Sequence, residues 1–243
     1  MTRRLLLMVA VVGLVLSAGP VLAWTGTLTT RTGGLVYGDD WQPASLTWDV
    51  TQDATNSNVY HYEYTLNVSE VATGGNISHM IIELTDDDYY NNFTYPSMDL
   101  FNLQRWDGTE WVDWAPTLTV DDHLAGSAGN PDLTSDVFGV KFDDSDGGEW
   151  GEWDLLQWRF DAYRLPVWGD FYAKDGKLDQ VDKTLYNAGL DLPDPTDPPQ
   201  DGSIDNHILR PNGRTPQLPP SALLGLSMFP LGIAYLRGRR RDD

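Results

Sequence analysis

An alternation of large apolar and polar residues, with a period of two, is the feature that most limits what this 243-residue chain can fold into. In residues 60–68 every second residue is aromatic or aliphatic, and the residues between them are polar. Leu46, Trp48 and Val50 repeat the pattern. Successive side chains of a β-strand point to opposite faces, so these segments are predicted to be strands with one buried and one solvated face.

The same pattern predicts further strands at residues 80–84, 137–142 and 156–162. Residues 103–114 hold Asp107-Gly108 between two aromatic runs, which predicts a hairpin with a tight turn. Short strands separated by Gly, Asn, Asp and Pro are typical of all-β folds. We therefore predict a single antiparallel β-sandwich, jelly-roll or immunoglobulin-like, over residues 24–176.

The pattern changes after this domain. Residues 164–176 are interpreted as a last strand and its exit turn, and residues 177–191 as a short helix that ends at Gly189. Residues 191–202 are rich in Pro and Asp and poor in large apolar groups, so they are expected to be extended or loosely ordered. Residues 177–215 would then form a short helix and a stem.

The N-terminus has the pattern of a secretory signal peptide. Arg3 and Arg4 precede an apolar run at residues 5–16, and small residues follow it. This layout predicts cleavage after Ala23, which removes residues 1–23. A retained signal anchor is the alternative.

Composition excludes several classes of function. The chain has no cysteine, so it has neither disulfides nor thiolate metal sites. Its formal net charge is −20, which repels the phosphates of nucleic acid and excludes nucleic acid as a partner. Such a charge favours solubility and cation binding.

The C-terminal tail, residues 216–243, runs from a Pro-rich motif through an apolar segment to a cluster of arginines. Residues 221–236 carry no charge and would span about 24 Å as a helix. By the positive-inside rule, the arginines stay in the cytoplasm and the rest of the protein lies outside it. The four arginines are Arg237, Arg239, Arg240 and Arg241.

This order of elements resembles the PEP-CTERM sorting tail, and the resemblance covers about a tenth of the chain. The family's Pro-Glu-Pro-Ser motif falls on Leu218, Pro219, Pro220 and Ser221, of which the second proline and the serine match. The same residues look like the Leu-Pro-x-Thr-Gly signal of sortase substrates. The resemblance implies a C-terminal transmembrane helix that anchors the protein until an exosortase-like or sortase-like membrane transpeptidase processes the tail. A simple tail anchor is the alternative.

An acidic, glycine-containing loop is a candidate calcium site, and calcium is the one cofactor that the sequence suggests. Its carboxylates are those of Asp143, Asp144, Asp146 and Glu149. Calcium prefers six to eight oxygen ligands on a flexible loop, although the spacing is not that of an EF-hand. A solvated acidic loop between strands is the alternative.

Tryptophans beside turns are candidate platforms for sugar rings. The candidates are Trp106, Trp111, Trp150 and Trp153. Sandwich-core tryptophan is the alternative.

No catalytic residue is predicted, because the four histidines have no zinc-site spacing and no nucleophile elbow is present. The resemblance implies an exported protein of the bacterial cell envelope or extracellular matrix, with a structural or adhesive role in biofilm or exopolysaccharide. A secreted carbohydrate-binding module and a secreted glycoside hydrolase are the alternatives.

Overall fold

A computed structural model describes residues 21–39, 41–68, 77–84, 100–143, 155–175 and 183–212. Every regular element in these ranges is a β-strand, which confirms the all-β prediction. The strands are β1 (Ala23–Thr29), β2 (Leu35–Gly38), β3 (Ser45–Gln52), β4 (Tyr60–Asn67), β5 (Ile77–Glu83), β6 (Leu100–Trp106), β7 (Trp111–Asp113), β8 (Thr117–His123), β9 (Val137–Asp143), β10 (Leu155–Ala162), β11 (Pro166–Gly169), β12 (Phe171–Asp175), β13 (Thr184–Asn187) and β14 (Ile208–Pro211).

The strands form two six-stranded sheets and one small sheet. The front sheet has the order β1-β3-β4-β10-β6-β7, and the back sheet has the order β2-β13-β12-β5-β9-β8. Strands β11 and β14 pair with each other. Neighbouring strands are antiparallel throughout.

Aromatic side chains fill the space between the two large sheets. On the inner face of the front sheet, Tyr64 stacks on Trp158 with ring centroids 5.1 Å apart. Beside them, Tyr62 stacks on Phe160 at 5.4 Å. Phe160 in turn lies 6.0 Å from Phe142 of the back sheet. These buried contacts are the face-to-face packing of a β-sandwich.

The outer face of the back sheet is covered by a long connection. Ile81 and Tyr172 lie on that face and pack in a second buried cluster with Leu133, which belongs to the connection from β8 to β9. The Tyr172 hydroxyl donates a hydrogen bond of 2.7 Å to the Pro131 carbonyl oxygen. The outer face of the front sheet, by contrast, carries polar side chains, and the candidate site lies there.

The predicted hairpin is confirmed. Strands β6 and β7 pair with Trp106 opposite Trp111. The Asp107 carboxylate accepts hydrogen bonds from the backbone N–H groups of Thr109 and Glu110, which fixes the turn. Gly108 adopts a φ of 100°, a conformation that glycine reaches without steric strain.

The predicted helix at residues 177–191 is wrong where the structure describes the segment. Residues 184–187 form strand β13, which is hydrogen-bonded to β12 on one side and to β2 on the other. Leu185 is fully buried in the core. The strand ends in a turn, in which the Leu190 amide donates to the Asn187 carbonyl oxygen. Pairing with two distant strands therefore decides the conformation of this short segment.

The packed body also extends beyond the predicted boundary at residue 176. Residues 164–176 contain two strands rather than one, because the chain leaves β11 and enters β12 at Asp170. Strand β14 lies inside the predicted stem, and its Ile208 and Leu209 are fully buried. The Pro- and Asp-rich segment, residues 191–202, contains no regular element, but the Asp201 carboxylate accepts a hydrogen bond from the Thr25 amide.

No helix in the described ranges is long and apolar enough to cross a membrane. The predicted sorting motif and arginine cluster lie outside the described residues. Residues 1–20 of the predicted signal peptide also lie outside them. Ala23 is the first residue of β1, so cleavage after it would leave Trp24 at the start of that strand. These assignments stay predictions.

Candidate functional site: a polar groove on the front sheet

Cross-strand register aligns polar side chains in a row across the whole front sheet. Each residue of the row lies directly opposite the next on the neighbouring strand, and the alternation of the strands keeps them all on the solvent face. The row, which we call the central row, consists of Thr25, Asp49, Glu63, Arg159, Gln104 and Asp113.

A second row lies beside it and centres on His61. His61 is opposite Thr51 on one side and Asp161 on the other. Its Nδ1 lies 2.5 Å from a carboxylate oxygen of Asp161, and its Nε2 lies 3.1 Å from a carboxylate oxygen of Asp53. Both ring nitrogens are therefore engaged by carboxylates.

Two carboxylates favour the charged form of His61. Partial burial opposes protonation, but the hydrogen bonds and negative charges of Asp161 and Asp53 outweigh it and raise the pKa of His61 above its ordinary value. Hydrogen bonds from the hydroxyl and amide of Thr55 and the amide of Asn56 hold the pKa of Asp53 well below its usual range. The position of His61 between two carboxylates therefore favours its imidazolium form.

A β-bulge shapes the end of the second row. The register between β10 and β6 shifts between Arg159 and Asp161, so β6 has one extra residue there. Asn102 lies at the shift with a φ of 53°, which asparagine tolerates better than most residues. Its side-chain amide donates a hydrogen bond of 2.6 Å to Asp161. The bulge thus directs an amide toward the histidine–aspartate pair.

Arg159 is held rigidly at the middle of the central row. Its Nε and one terminal nitrogen donate to Oε1 of Gln104 at 2.9 and 2.7 Å. Its guanidinium carbon lies 4.2 Å from the centre of the Trp111 ring. Trp111 packs edge-on against Trp106, with ring centroids 5.7 Å apart. Both tryptophans are partly exposed and share the solvent face of the hairpin with Gln104 and Asp113.

The two rows, apart from Thr25, line a groove with a volume of about 530 Å³, within the range of small-molecule sites. Its walls carry hydrogen-bond donors and acceptors from five strands. The polar lining residues are Asp49, Thr51, His61, Glu63, Asn102, Gln104, Asp113, Arg159 and Asp161.

Glu63 differs from the other carboxylates of the groove. Burial raises the pKa of Glu63; the Arg159 charge opposes that rise, and the neighbouring Asp49 reinforces it. Glu63 therefore holds its proton to a higher pH than an exposed glutamate does. A carboxyl group in this state can donate a hydrogen bond or a proton to a bound oxygen atom.

The groove is built for hydrogen bonding rather than for metal binding. His61 is its only histidine, and both nitrogens of that ring already contact carboxylates. A different group in the described part of the chain, Asp170, Asp194 and His207, has potential ligand atoms within 4.8 Å of one another. It shares no residue with the groove.

The predicted site residues are distributed unevenly. Trp106 and Trp111 contact each other in the hairpin beside the groove, although neither lines it, and Trp111 contacts the lining residue Arg159. Trp150 and Trp153 are outside the described residues. Asp143 of the predicted calcium loop forms an ion pair of 2.6 Å with Lys141. Asp144, Asp146 and Glu149 are outside the described residues, so the calcium site stays a prediction.

Sequence reasoning missed the groove residues other than the tryptophans. The polar positions of β3, β4 and β10 were interpreted only as solvated faces. Their register could have pointed to the groove, because Asp49, Glu63 and Arg159 align once the inward-facing aromatics of those strands are aligned.

Compared with protein-family models, with curated proteins and with solved structures, the chain matched none of them.

Proposed function

We propose that this chain is a non-enzymatic, carbohydrate-binding protein of the bacterial cell envelope or extracellular matrix, with the groove of the front sheet as its glycan site. The single observation that carries the proposal is the central row, which from Asp49 to Asp113 lines the groove with hydrogen-bonding side chains. Trp111, in contact with Arg159, lies at the edge of the groove and packs against Trp106. Sugars are recognised by such a combination of planar polar groups and aromatic faces. Glycan binding would give the adhesive role in a polysaccharide matrix.

The charge of the groove favours a neutral glycan. Its lining holds four acidic side chains, from Asp49, Glu63, Asp113 and Asp161, against two basic ones, Arg159 and His61. This excess of negative charge would repel uronic acids and sulfated sugars. Neutral hexoses and amino sugars have hydroxyl or amino groups that can donate hydrogen bonds to carboxylates.

Export is the second part of the proposal. It is supported by the sequence layout of the signal peptide with cleavage at Ala23, and by the tail that resembles a sorting signal. In this proposal an exosortase-like or sortase-like transpeptidase acts near Pro219, Pro220 and Ser221. The acidic charge of the chain is compatible with a soluble domain outside the membrane.

The finer fold assignment also belongs to this proposal. We infer a jelly-roll kind of sandwich rather than an immunoglobulin-like one. The two large sheets have six strands each, whereas an immunoglobulin domain has seven or nine strands in all. Many glycan-binding domains are two-sheet sandwiches of this kind.

Affinity electrophoresis in gels that contain neutral polysaccharides, followed by intrinsic tryptophan fluorescence with soluble oligosaccharides, tests the glycan site. Asp113→Asn should weaken binding about tenfold, since a hydrogen bond to a charged group contributes about 1.4 kcal/mol. Asp122→Asn is the matched control, because Asp122 is also an exposed carboxylate but lies on β8 of the back sheet. Absence of binding across neutral and amino-sugar glycans would refute the proposal.

Hydrolysis in the same groove is the second candidate function. Glu63 lies directly opposite Asp49, so the groove contains a carboxyl group of raised pKa beside a second acidic side chain. Glycosidases use such pairs. Release of reducing ends from a bound glycan, abolished by Glu63→Gln, would favour hydrolysis. Glycan binding without product formation would leave binding as the function of the groove.

A further inference from the structure

A second group of charged side chains lies apart from the groove and joins three segments of the chain. Asp170 connects β11 to β12, Asp194 belongs to the Pro- and Asp-rich segment, and His207 immediately precedes β14. Glu83, at the end of β5, and Arg210, in β14, lie next to them. His207 is completely buried, and Asp170 and Arg210 are nearly so.

The hydrogen bonding of His207 determines which ring nitrogen carries a hydrogen in the neutral ring. Nδ1 lies 3.2 Å from the Ile204 carbonyl oxygen, which can only accept, so Nδ1 carries the hydrogen. In the neutral ring, Nε2 then has a lone pair and no proton. Nε2 is buried and has no hydrogen-bond partner among the described residues. Metal-binding histidines commonly donate their other ring N–H to a backbone carbonyl in this way.

The bare nitrogen faces two carboxylates. Nε2 lies 3.6 Å from Oδ1 of Asp170 and 3.7 Å from Oδ1 of Asp194. A lone pair that faces two anionic oxygens is electrostatically unfavourable unless a proton or a metal cation lies between them. These separations are too long for hydrogen bonds, but they suit three ligands that share one ion at about 2.0 to 2.2 Å from each.

Carboxyl groups also outnumber guanidinium groups in the cluster. Those of Glu83, Asp170 and Asp194 lie around the single guanidinium of Arg210. Buried charges are stable only when they are paired or coordinate a metal. A divalent cation between Asp170 and Asp194 would pair with both of them.

Both carboxylates are oriented by other side chains. Oδ1 of Asp170 accepts a hydrogen bond of 2.7 Å from the Asn187 side-chain amide. Oδ2 of Asp194 accepts one of 2.7 Å from Arg210, which leaves its Oδ1 directed at His207. Such supporting contacts keep ligand oxygens in place around a metal.

We propose that Asp170, Asp194 and His207 form a binding site for a first-row divalent transition metal, such as Zn²⁺. An imidazole nitrogen with two carboxylates suits zinc better than calcium or magnesium, which prefer oxygen ligands alone. The ion would fasten the Pro- and Asp-rich segment, through Asp194, to the starts of β12 and β14. The site is independent of the proposed glycan groove.

Equilibrium dialysis of the purified full chain, stripped with a chelator and supplied with ZnCl₂ in excess Mg²⁺, tests the site. The excess Mg²⁺ occupies non-specific carboxylates. The expected result is one tightly bound Zn²⁺ per chain and a raised thermal midpoint. X-ray absorption of the loaded chain should show nitrogen and oxygen ligands at about 2.0 to 2.2 Å.

Two variants identify the ligands. His207→Gln and Asp194→Asn should each weaken Zn²⁺ binding at least about tenfold, since loss of even a partner that only supports a metal ligand commonly costs that much. The controls are His123→Gln, a buried histidine that contacts the Gly139 carbonyl oxygen, and Asp197→Asn, an exposed residue of the same segment. Both controls should bind Zn²⁺ like the parent chain.

Three results would overturn the proposal. They are no specific Zn²⁺ binding by the parent chain, unchanged binding by Asp194→Asn, and a first coordination shell of oxygen alone. The first result would leave His207 as a protonated partner of the two carboxylates. The X-ray absorption measurement uses only the parent chain, so it decides the question even if His207→Gln does not fold.

Discussion

The guanidinium carbon of Arg159 lies 4.2 Å from the centre of the Trp111 ring, so a strand from the middle of the front sheet is connected to the edge hairpin. The contact covers one face of the Trp111 ring and fixes the donors of Arg159 toward Gln104. A glycan in the groove would therefore meet a rigid guanidinium rather than a mobile one.

Arg159→Lys should weaken glycan binding even though it keeps the positive charge. Lysine has no planar group that can donate two hydrogen bonds of fixed geometry to Oε1 of Gln104 and stack on Trp111. We expect a loss of about tenfold in affinity, with a change in tryptophan emission. Fluorescence titration measures both. Arg31→Ala, in an exposed turn outside the groove, is the control, and equal losses in both variants would contradict the assigned role.

His79 should make the fold sensitive to mild acid. Burial, with the nearby Lys141 charge, lowers the pKa of His79 to about 3, and its Nε2 contacts the Asn130 side-chain oxygen. Because the unfolded chain takes up this proton near pH 6.5, stability is lost as the pH falls from about 6.5 toward 3. The loss at pH 5 is about 2 kcal/mol from this residue.

Urea unfolding of the parent chain and of His79→Gln, at pH 7 and pH 5, measures that loss. The variant should lose less stability between the two pH values than the parent does. His61→Gln serves as the contrast, because the raised pKa of His61 contributes stability that is present at low pH and lost as the pH rises. A parent and a His79 variant with the same pH dependence would disprove the prediction.

Gly26→Ala should destabilise the sandwich. Gly26 lies opposite Trp48 in the register of β1 and β3, and a Cβ at position 26 would overlap the Trp48 ring and the Gly202 carbonyl oxygen. Overpacking of this kind costs about 1 to 3 kcal/mol. Chemical denaturation measures the change. Gly129→Ala is the control, since a Cβ there meets nothing nearer than 4.0 Å.

Tyr64→Phe should loosen β14 selectively. The buried Tyr64 hydroxyl donates a hydrogen bond of 2.9 Å to the Leu209 carbonyl oxygen and so joins the front sheet to the β11–β14 pair. Its removal should cost about 1 kcal/mol. Relative to the parent chain, amide hydrogen exchange should speed up more in β14 than in β4. A uniform increase across both strands would mean that the hydroxyl does not anchor β14.

Deletion of residues 237–243 should impair processing of the tail, because it removes the arginine cluster that the sorting proposal requires. Mass spectrometry of the C-terminus of the cell-associated protein distinguishes a kept, cut or transferred tail. Replacement of the four arginines by lysines is the control, since it preserves the positive charge. Unchanged processing after deletion would count against the sorting proposal.

The strands that sequence reasoning found are those with strong alternation. Residues 60–68 bury Tyr62 and Tyr64 whatever their neighbours are, because an alternating strand must turn its apolar side chains to a core. The hairpin at Asp107-Gly108 was also predictable from sequence, because its turn depends on contacts within four residues. Strand β13 was missed because four residues carry too little periodicity.

The amino-acid sequence by itself determined the class of fold, through alternation, and the acidic character of the surface, through composition. Only the tertiary structure decided the groove and the cluster around His207. Asp49, Glu63 and Arg159 are distant in sequence and meet through strand register, while Asp170, Asp194 and His207 meet because an irregular segment returns to the body. The physical reason is that local patterns set which side chains are buried, whereas long-range pairing sets which polar side chains become neighbours.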